Sequence, residues 1–90
     1  MSIYPNPFNT TTSVSFSIPE YGLTSITIND LTGKNLETLA NITLNTGNYK
    51  IDWKTSSYPS GVYLLRMIAH PSAGGNSGDI IQTYKVVLVK

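Results

Sequence analysis

Several short segments of this chain alternate between apolar and polar residues, as half-buried antiparallel strands do. The alternation is clear in residues 12–18, 24–29 and 49–54, and the largest apolar side chain in them is Trp53. Since residues of one parity lie on one face of a strand, their apolar members should share a core. These members are Val14, Phe16, Ile18, Ile26, Ile28, Tyr49, Ile51 and Trp53.

The longest apolar run is residues 61–68, and turn-forming residues lie on both sides of it. Both of its faces are apolar apart from Arg66, which is typical of a strand in the middle of a sheet. A guanidinium group is rarely buried without a partner, so Arg66, with Val62 and Leu64, should face outward. The residues predicted to face the core from this strand are Tyr63, Leu65 and Met67.

The pattern also predicts how the remaining segments are arranged. We expect the strands at 12–18 and 24–29 to form a hairpin across the turn at 19–22. Residues 36–44 are less regular, because Leu39 breaks the parity of its neighbours, which predicts a bulge or a strand break, with a short helical turn as the alternative. A long glycine-rich loop should precede a final strand in residues 80–90.

Two prolines mark the first nine residues. Pro5 and Pro7 fix the backbone and push their neighbours into extended conformations, so residues 1–9 should be an extended lead-in or an edge strand. Tyr4 and Phe8 are expected to pin this segment onto the protein. In the final strand, Val86 and Leu88 should face the core. The whole pattern predicts an all-β fold, an Ig-like antiparallel β-sandwich of about seven strands, as one domain over residues 1–90.

The composition argues against several classes of function. Six Lys and Arg against five Asp and Glu give a net charge of +1, too balanced for a protein that binds nucleic acid by neutralising phosphates. The chain has no cysteine, which rules out thiol chemistry and disulfides. Its one histidine, His70, lies beside Pro71, and its carboxylates are scattered and lack the spacing of a metal-binding loop. We therefore predict no catalysis, no metal, no cofactor and no small-molecule substrate.

A set of short motifs occurs in order along the chain. The motif residues are Tyr4, Pro5, Asn6, Pro7, Phe8, Asp30, Gly33, Gly47, Trp53, Gly61, Tyr63 and Arg66, followed by Lys85, Val86, Val87, Leu88, Val89 and Lys90. Together they resemble the type A, Ig-like C-terminal sorting domain of the type IX (Por) secretion system of Bacteroidetes and related bacteria. The similarity covers residues 4–90. Thr32 and Lys34 depart from the usual apolar residue and arginine, and the loop at 71–79 is longer than is usual.

The resemblance implies a non-catalytic signal at the C-terminus of a larger cargo protein, which is carried across the outer membrane. The implied partners are the outer-membrane machinery, its sortase-like transpeptidase and a covalently linked upstream cargo domain. The cargo would pass through the periplasm, be cleaved ahead of this domain, and reach the cell surface or the medium. Residues 85–90 correspond to the terminal recognition strand, and the earlier motif residues would have structural roles.

The sequence gives the final strand a physical basis for recognition. Val87 and Val89 form an apolar stripe between lysines, and a strand with an unpaired edge can recruit another chain. Alternatively, these valines lie under a neighbouring loop. The competing function is a passive Ig-like stalk or a carbohydrate-binding accessory module of an extracellular enzyme. An exposed row of aromatic residues, drawn from Tyr21, Tyr49 and Tyr58, would favour sugar binding, whereas hairpin and core positions for them would not.

Overall fold

A computed structural model of the chain describes residues 1–7, 10–55, 57–71 and 79–89. These residues form seven strands, which are β1 (Ser2–Tyr4), β2 (Thr11–Ile18), β3 (Gly22–Asn29), β4 (Asn35–Leu44), β5 (Gly47–Lys54), β6 (Gly61–Pro71) and β7 (Ile80–Leu88). The described residues include no helix, and therefore none that is long and apolar enough to cross a membrane.

The strands form two antiparallel sheets. One sheet has the order β1-β2-β5 and the other the order β4-β3-β6-β7. Strand β6 lies inside its sheet, as its two apolar faces predict, and Arg66 is exposed. The predicted all-β, antiparallel sandwich of about seven strands is confirmed.

The core lies between the sheets and follows the predicted parity. Tyr49 and Ile51 are only half-buried at its margin, and Ala69 is a buried residue that the pattern did not single out. The predicted core residues that are buried are Val14, Phe16, Ile18, Ile26, Ile28, Trp53, Tyr63, Leu65, Met67, Val86 and Leu88.

The predicted hairpin between the second and third strands is wrong. β2 pairs with β1 and β5, whereas β3 pairs with β4 and β6, so the turn after Ile18 carries the chain from one sheet to the other. Both strands bury an apolar face in the same core, but they approach it from opposite sides. Alternation predicts which face of a strand is buried and does not specify the strand to which its backbone bonds.

The lead-in does form an edge strand, although Tyr4 does not anchor it. β1 pairs with β2 and places Ile3 opposite Val14. Ile3 is half-buried against the core, while Tyr4 is 79% exposed, because adjacent residues of a strand point to opposite faces. The peptide bonds before Pro5 and Pro7 are both cis. The other predicted anchor, Phe8, lies outside the described residues.

The predicted irregularity of the fourth strand is confirmed as a pair of register shifts. Along β3 the pairing moves from Ala40 to Thr38 and then from Glu37 to Asn35, so that Leu39 and Leu36 have no residue opposite them. Leu39 is half-buried and packs against the core. The predicted glycine-rich loop joins β6 to β7, and its residues 72–78 lie outside the part that the structure describes.

Candidate functional site

The strand registers place most of the sequence motifs at one end of the sandwich. Thr11 lies opposite Lys54, and Asn29 lies opposite Leu64. On the other side of β6, Gly61 lies opposite Leu88. The C-terminal ends of β3 and β7 therefore lie at the same end of this sheet. We call this the motif end; it consists of residues 5–7, 30–34, 57–61 and 85–89, together with Trp53.

Asn6 connects the lead-in to the final strand. Its Nδ2 donates to the carbonyl oxygen of Lys85 over 3.1 Å, and its Oδ1 accepts from the backbone N–H of Val87 over 3.0 Å. Among the described strands β7 has a neighbour, β6, on one side only, and both bonds lie on its other edge. The side-chain amide therefore occupies hydrogen-bonding positions that an additional strand would otherwise use.

Threonine hydroxyls fasten the chain beside Asn6. Thr12 is fully buried, and its Oγ1 donates to the carbonyl oxygen of Pro5 over 2.6 Å. Thr55 is also fully buried, and both its backbone N–H and its Oγ1 donate to the carbonyl oxygen of Thr10, each over 3.0 Å. Sequence reasoning missed both threonines, although Thr12 shares the parity of Val14 and could have been found by that signal.

The turn at residues 30–34 is held by one carboxylate. Oδ1 of Asp30 accepts from the backbone N–H groups of Thr32 and Lys34, at 2.9 and 3.0 Å, and from the Thr32 hydroxyl. The hydroxyl is the largest of the causes that hold the pKa of Asp30 below its ordinary value. Gly33 has a φ of 92°, which a residue with a Cβ rarely adopts. These contacts fix the turn, and Leu31 is 64% exposed on it.

An aromatic cluster lies beneath the motif end. The rings of Trp53, Tyr58 and Tyr63 meet edge to face, with centroids 5.4 to 5.7 Å apart. The Tyr63 hydroxyl donates to the carbonyl oxygen of Pro59 over 2.6 Å, as in the tyrosine corner of Ig-like sandwiches.

Glu37 of β4 joins this cluster, whose residues come from β5, β6 and the segment between them, and sequence reasoning did not predict it. Its Oε1 accepts from the Trp53 indole N–H over 3.3 Å and from the Tyr58 hydroxyl over 2.7 Å. Burial, followed by the hydrogen bond to Glu37, raises the pKa of Tyr58 to about 12. The carboxylate thus links β4 to β5 and to the segment that follows β5.

Two motif residues lie away from the motif end. Gly47 begins β5 at the opposite end of the sandwich, with a φ of 152° and the ring of Tyr49 against it. Arg66 lies in the middle of β6, between Thr27 and Thr83, and is exposed. The structure therefore brings together many of the predicted motif positions, but not all of them.

The final strand is an edge strand whose edge is partly occupied. Its even positions, Val86 and Leu88, are buried in the core as predicted. On the opposite face Lys85 is exposed, Val87 is half-buried and Val89 is 55% exposed. The edge is not unpaired between Lys85 and Val87, because Asn6 bonds to it there. Lys90 lies outside the described residues.

The tyrosines considered for sugar stacking do not share one exposed face. Tyr21 is 53% exposed in the turn between β2 and β3, at the end opposite the motif end. Tyr49 stacks on Phe16 with a centroid distance of 5.7 Å, and Tyr58 belongs to the Trp53 cluster. A shallow depression of 510 Å³ lies against the three-stranded sheet, and none of the motif residues that the structure describes lines it.

The titratable side chains in the described part of the chain form no cluster of three or more His, Asp or Glu that could hold a metal ion. His70 and Asp79 do meet, with 2.8 Å between Nδ1 and Oδ1, and both side chains are about half exposed. They lie at the end of β6 and just before β7, so this pair closes the hairpin that those strands form.

Comparison with protein families matches residues 2–74 to the secretion system C-terminal sorting domain. Neither the curated proteins nor the solved structures contain a match to this chain. The family match covers most of the chain and includes the lead-in, the turn at 30–34 and the Trp53 cluster. The chain therefore belongs to the family of secretion system C-terminal sorting domains, which are signals rather than enzymes and direct proteins across the outer membrane by type IX secretion.

Proposed function

We propose that residues 1–90 act as one sorting domain and that the secretion machinery reads its final strand, residues 85–90. The cargo is a covalently linked upstream domain that passes through the periplasm. A sortase-like transpeptidase then cuts ahead of the sorting domain and attaches the cargo to the cell surface. The observation that carries this proposal is the position of β7. This strand is an edge of its sheet, and it ends at the motif end, where most of the motifs meet.

The two faces of β7 allow recognition and folding to be separated. Val86 and Leu88 are buried, so their side chains contribute to stability and are hidden from a partner. Lys85 and Val89 are exposed on the other face, and a partner can contact them while the sandwich stays folded. A cationic and apolar stripe of this kind suits a partner surface that combines an apolar groove with carboxylates.

The test replaces the three outward residues at the end of this strand together with Lys90, with the domain fused to a reporter in a host competent for type IX secretion. A quadruple variant carries serine or glutamate at Lys85, Val87, Val89 and Lys90. We expect it to fold, because Lys85 and Val89 are exposed and Val87 is only half-buried, and substitutions outside the core usually change stability by no more than ~0.5 kcal/mol each. We also expect its reporter to remain in the periplasm.

A matched control carries the same types of substitution at exposed positions of β4, an edge strand of the same sheet, namely Thr38, Asn41 and Thr43. This control should be exported, and its surface product should have lost the sorting domain. Normal surface display of the folded quadruple variant would refute recognition through residues 85–90. A surface product that still carried the domain would refute cleavage ahead of it.

A further inference from the structure

Within the described residues the two sheets have four edges, and each edge has a feature that limits pairing with another strand. β1 is only three residues long, and β4 has two register shifts. β5 has Lys50, Asp52 and Lys54 at alternate positions. These features belong to the strands themselves. β7 is different, because the group that occupies its edge is a side chain from a distant segment, the Asn6 amide.

The two bonds of Asn6 follow the pattern of a bridging strand residue. A residue in a parallel neighbouring strand donates to the carbonyl of position i−1 and accepts from the N–H of position i+1. Asn6 does the same around Val86, with Lys85 as acceptor and Val87 as donor. The site is thus complementary to peptide backbone, and its present occupant is an exposed side chain.

We propose that Asn6 is a displaceable latch on β7, and that the secretion machinery docks by replacing it with an extended strand of its own. The incoming backbone takes over the bonds to Lys85 and Val87, so the sheet gains a fifth strand without losing any bond between β6 and β7. This inference rests on the proposed function, since it specifies how the final strand is read. It predicts that Asn6 closes the edge in the free domain and is not itself recognised.

The first test measures hydrogen exchange of the Val87 amide in the purified domain. In Asn6→Ala this amide loses its acceptor, so it should exchange faster by about tenfold or more. In Asn6→Asp the carboxylate can still accept from the Val87 N–H but cannot donate to the Lys85 carbonyl, so the exchange rate should lie between those of Asn6→Ala and the wild type. Asn41→Ala, an exposed asparagine on β4, should leave the exchange unchanged. Val87 exchange in Asn6→Ala as slow as in the wild type would overturn the latch.

The second test examines docking, through export of the reporter fusion. Asn6→Ala should be exported at least as well as the wild type, because nothing then has to be displaced. Val87→Pro removes the outward N–H without removing a bond to β6, and it should be retained in the periplasm as a folded domain. Thr83 lies on the same parity of β7 but outside residues 85–90, so Thr83→Pro removes another outward N–H and should be exported.

Two outcomes of the export test would overturn the inference. Export of Val87→Pro would mean that docking does not use this edge. Retention of folded Asn6→Ala beside export of Thr83→Pro would mean that the machinery binds Asn6 instead of displacing it. Failure of the proposed function gives a different result, namely export of the quadruple variant at positions 85, 87, 89 and 90. The exchange measurement needs no secretion machinery, so it decides independently whether Asn6 closes the edge.

Discussion

Truncation of Trp53 should remove a large share of the domain's stability. Its side chain is fully buried and contacts the rings of Tyr58 and Tyr63. Replacing a buried aromatic residue by alanine costs ~3–5 kcal/mol, since the lost contacts leave a cavity. The Glu37 carboxylate also loses a hydrogen-bond donor in this variant. A domain's total stability is only ~5–15 kcal/mol, so Trp53→Ala should be close to unfolding without denaturant.

Urea unfolding, followed by far-ultraviolet circular dichroism, measures this cost. With an m-value near the lower end of ~1–3 kcal/mol/M, the midpoint should fall by roughly 2–4 M. Trp53→Phe keeps an aromatic ring and loses the indole N–H, so its midpoint should fall between those of Trp53→Ala and the wild type.

The matched control is Tyr21→Ala, which truncates an exposed aromatic residue and should change stability by no more than ~0.5 kcal/mol. A Trp53→Ala midpoint equal to that of Tyr21→Ala would refute the register of β5, because Trp53 could then not lie in the core.

Two further predictions concern titration and steric fit. The pKa of Tyr58 is raised to about 12 from 10.0, so its contribution to stability should be complete below pH 10 and be lost as the pH rises from 10 towards 12. Unfolding midpoints measured across this range should show the loss of stability. In Tyr58→Phe the part of this loss that comes from Tyr58 should be absent. Gly22→Ala would place a Cβ in collision with the carbonyl oxygen of His70, which is backbone and cannot rotate away. We expect a cost of ~1–3 kcal/mol in thermal unfolding, whereas Gly61→Ala, whose Cβ meets nothing closer than 3.9 Å, should be tolerated; equal effects would contradict the pairing of β3 with β6.

The core could be predicted because burial acts on side chains, whose type the sequence displays. Val14 and Ile26 are buried on the predicted parity, even though their strands belong to different sheets. The pairing of β2 could not be predicted in the same way, since its ladder to β5 consists of backbone groups that every residue type carries.

The candidate site illustrates the same limit. Asn6 stood out as a motif residue, but its partners are backbone atoms 79 and 81 positions away. No residue type at those positions indicates such a bond. Glu37 lies in the bulged part of β4, where alternation no longer indicates which way a side chain points. The structure places this carboxylate where it accepts from both Trp53 and Tyr58, a role that the pattern did not indicate.

The directions of the first and last strands determine how the domain would respond to tension. β1 lies antiparallel to β2, so the chain before Ser2 points away from the motif end, whereas β7 ends at it. Pulling Met1 and Val89 apart would therefore slide β1 along β2 and β7 along β6. Hydrogen bonds between antiparallel strands are perpendicular to the strands, so such a shear force loads the bonds of each ladder together instead of opening them one by one. A sandwich connected in this way can be pulled by its two ends while it stays folded.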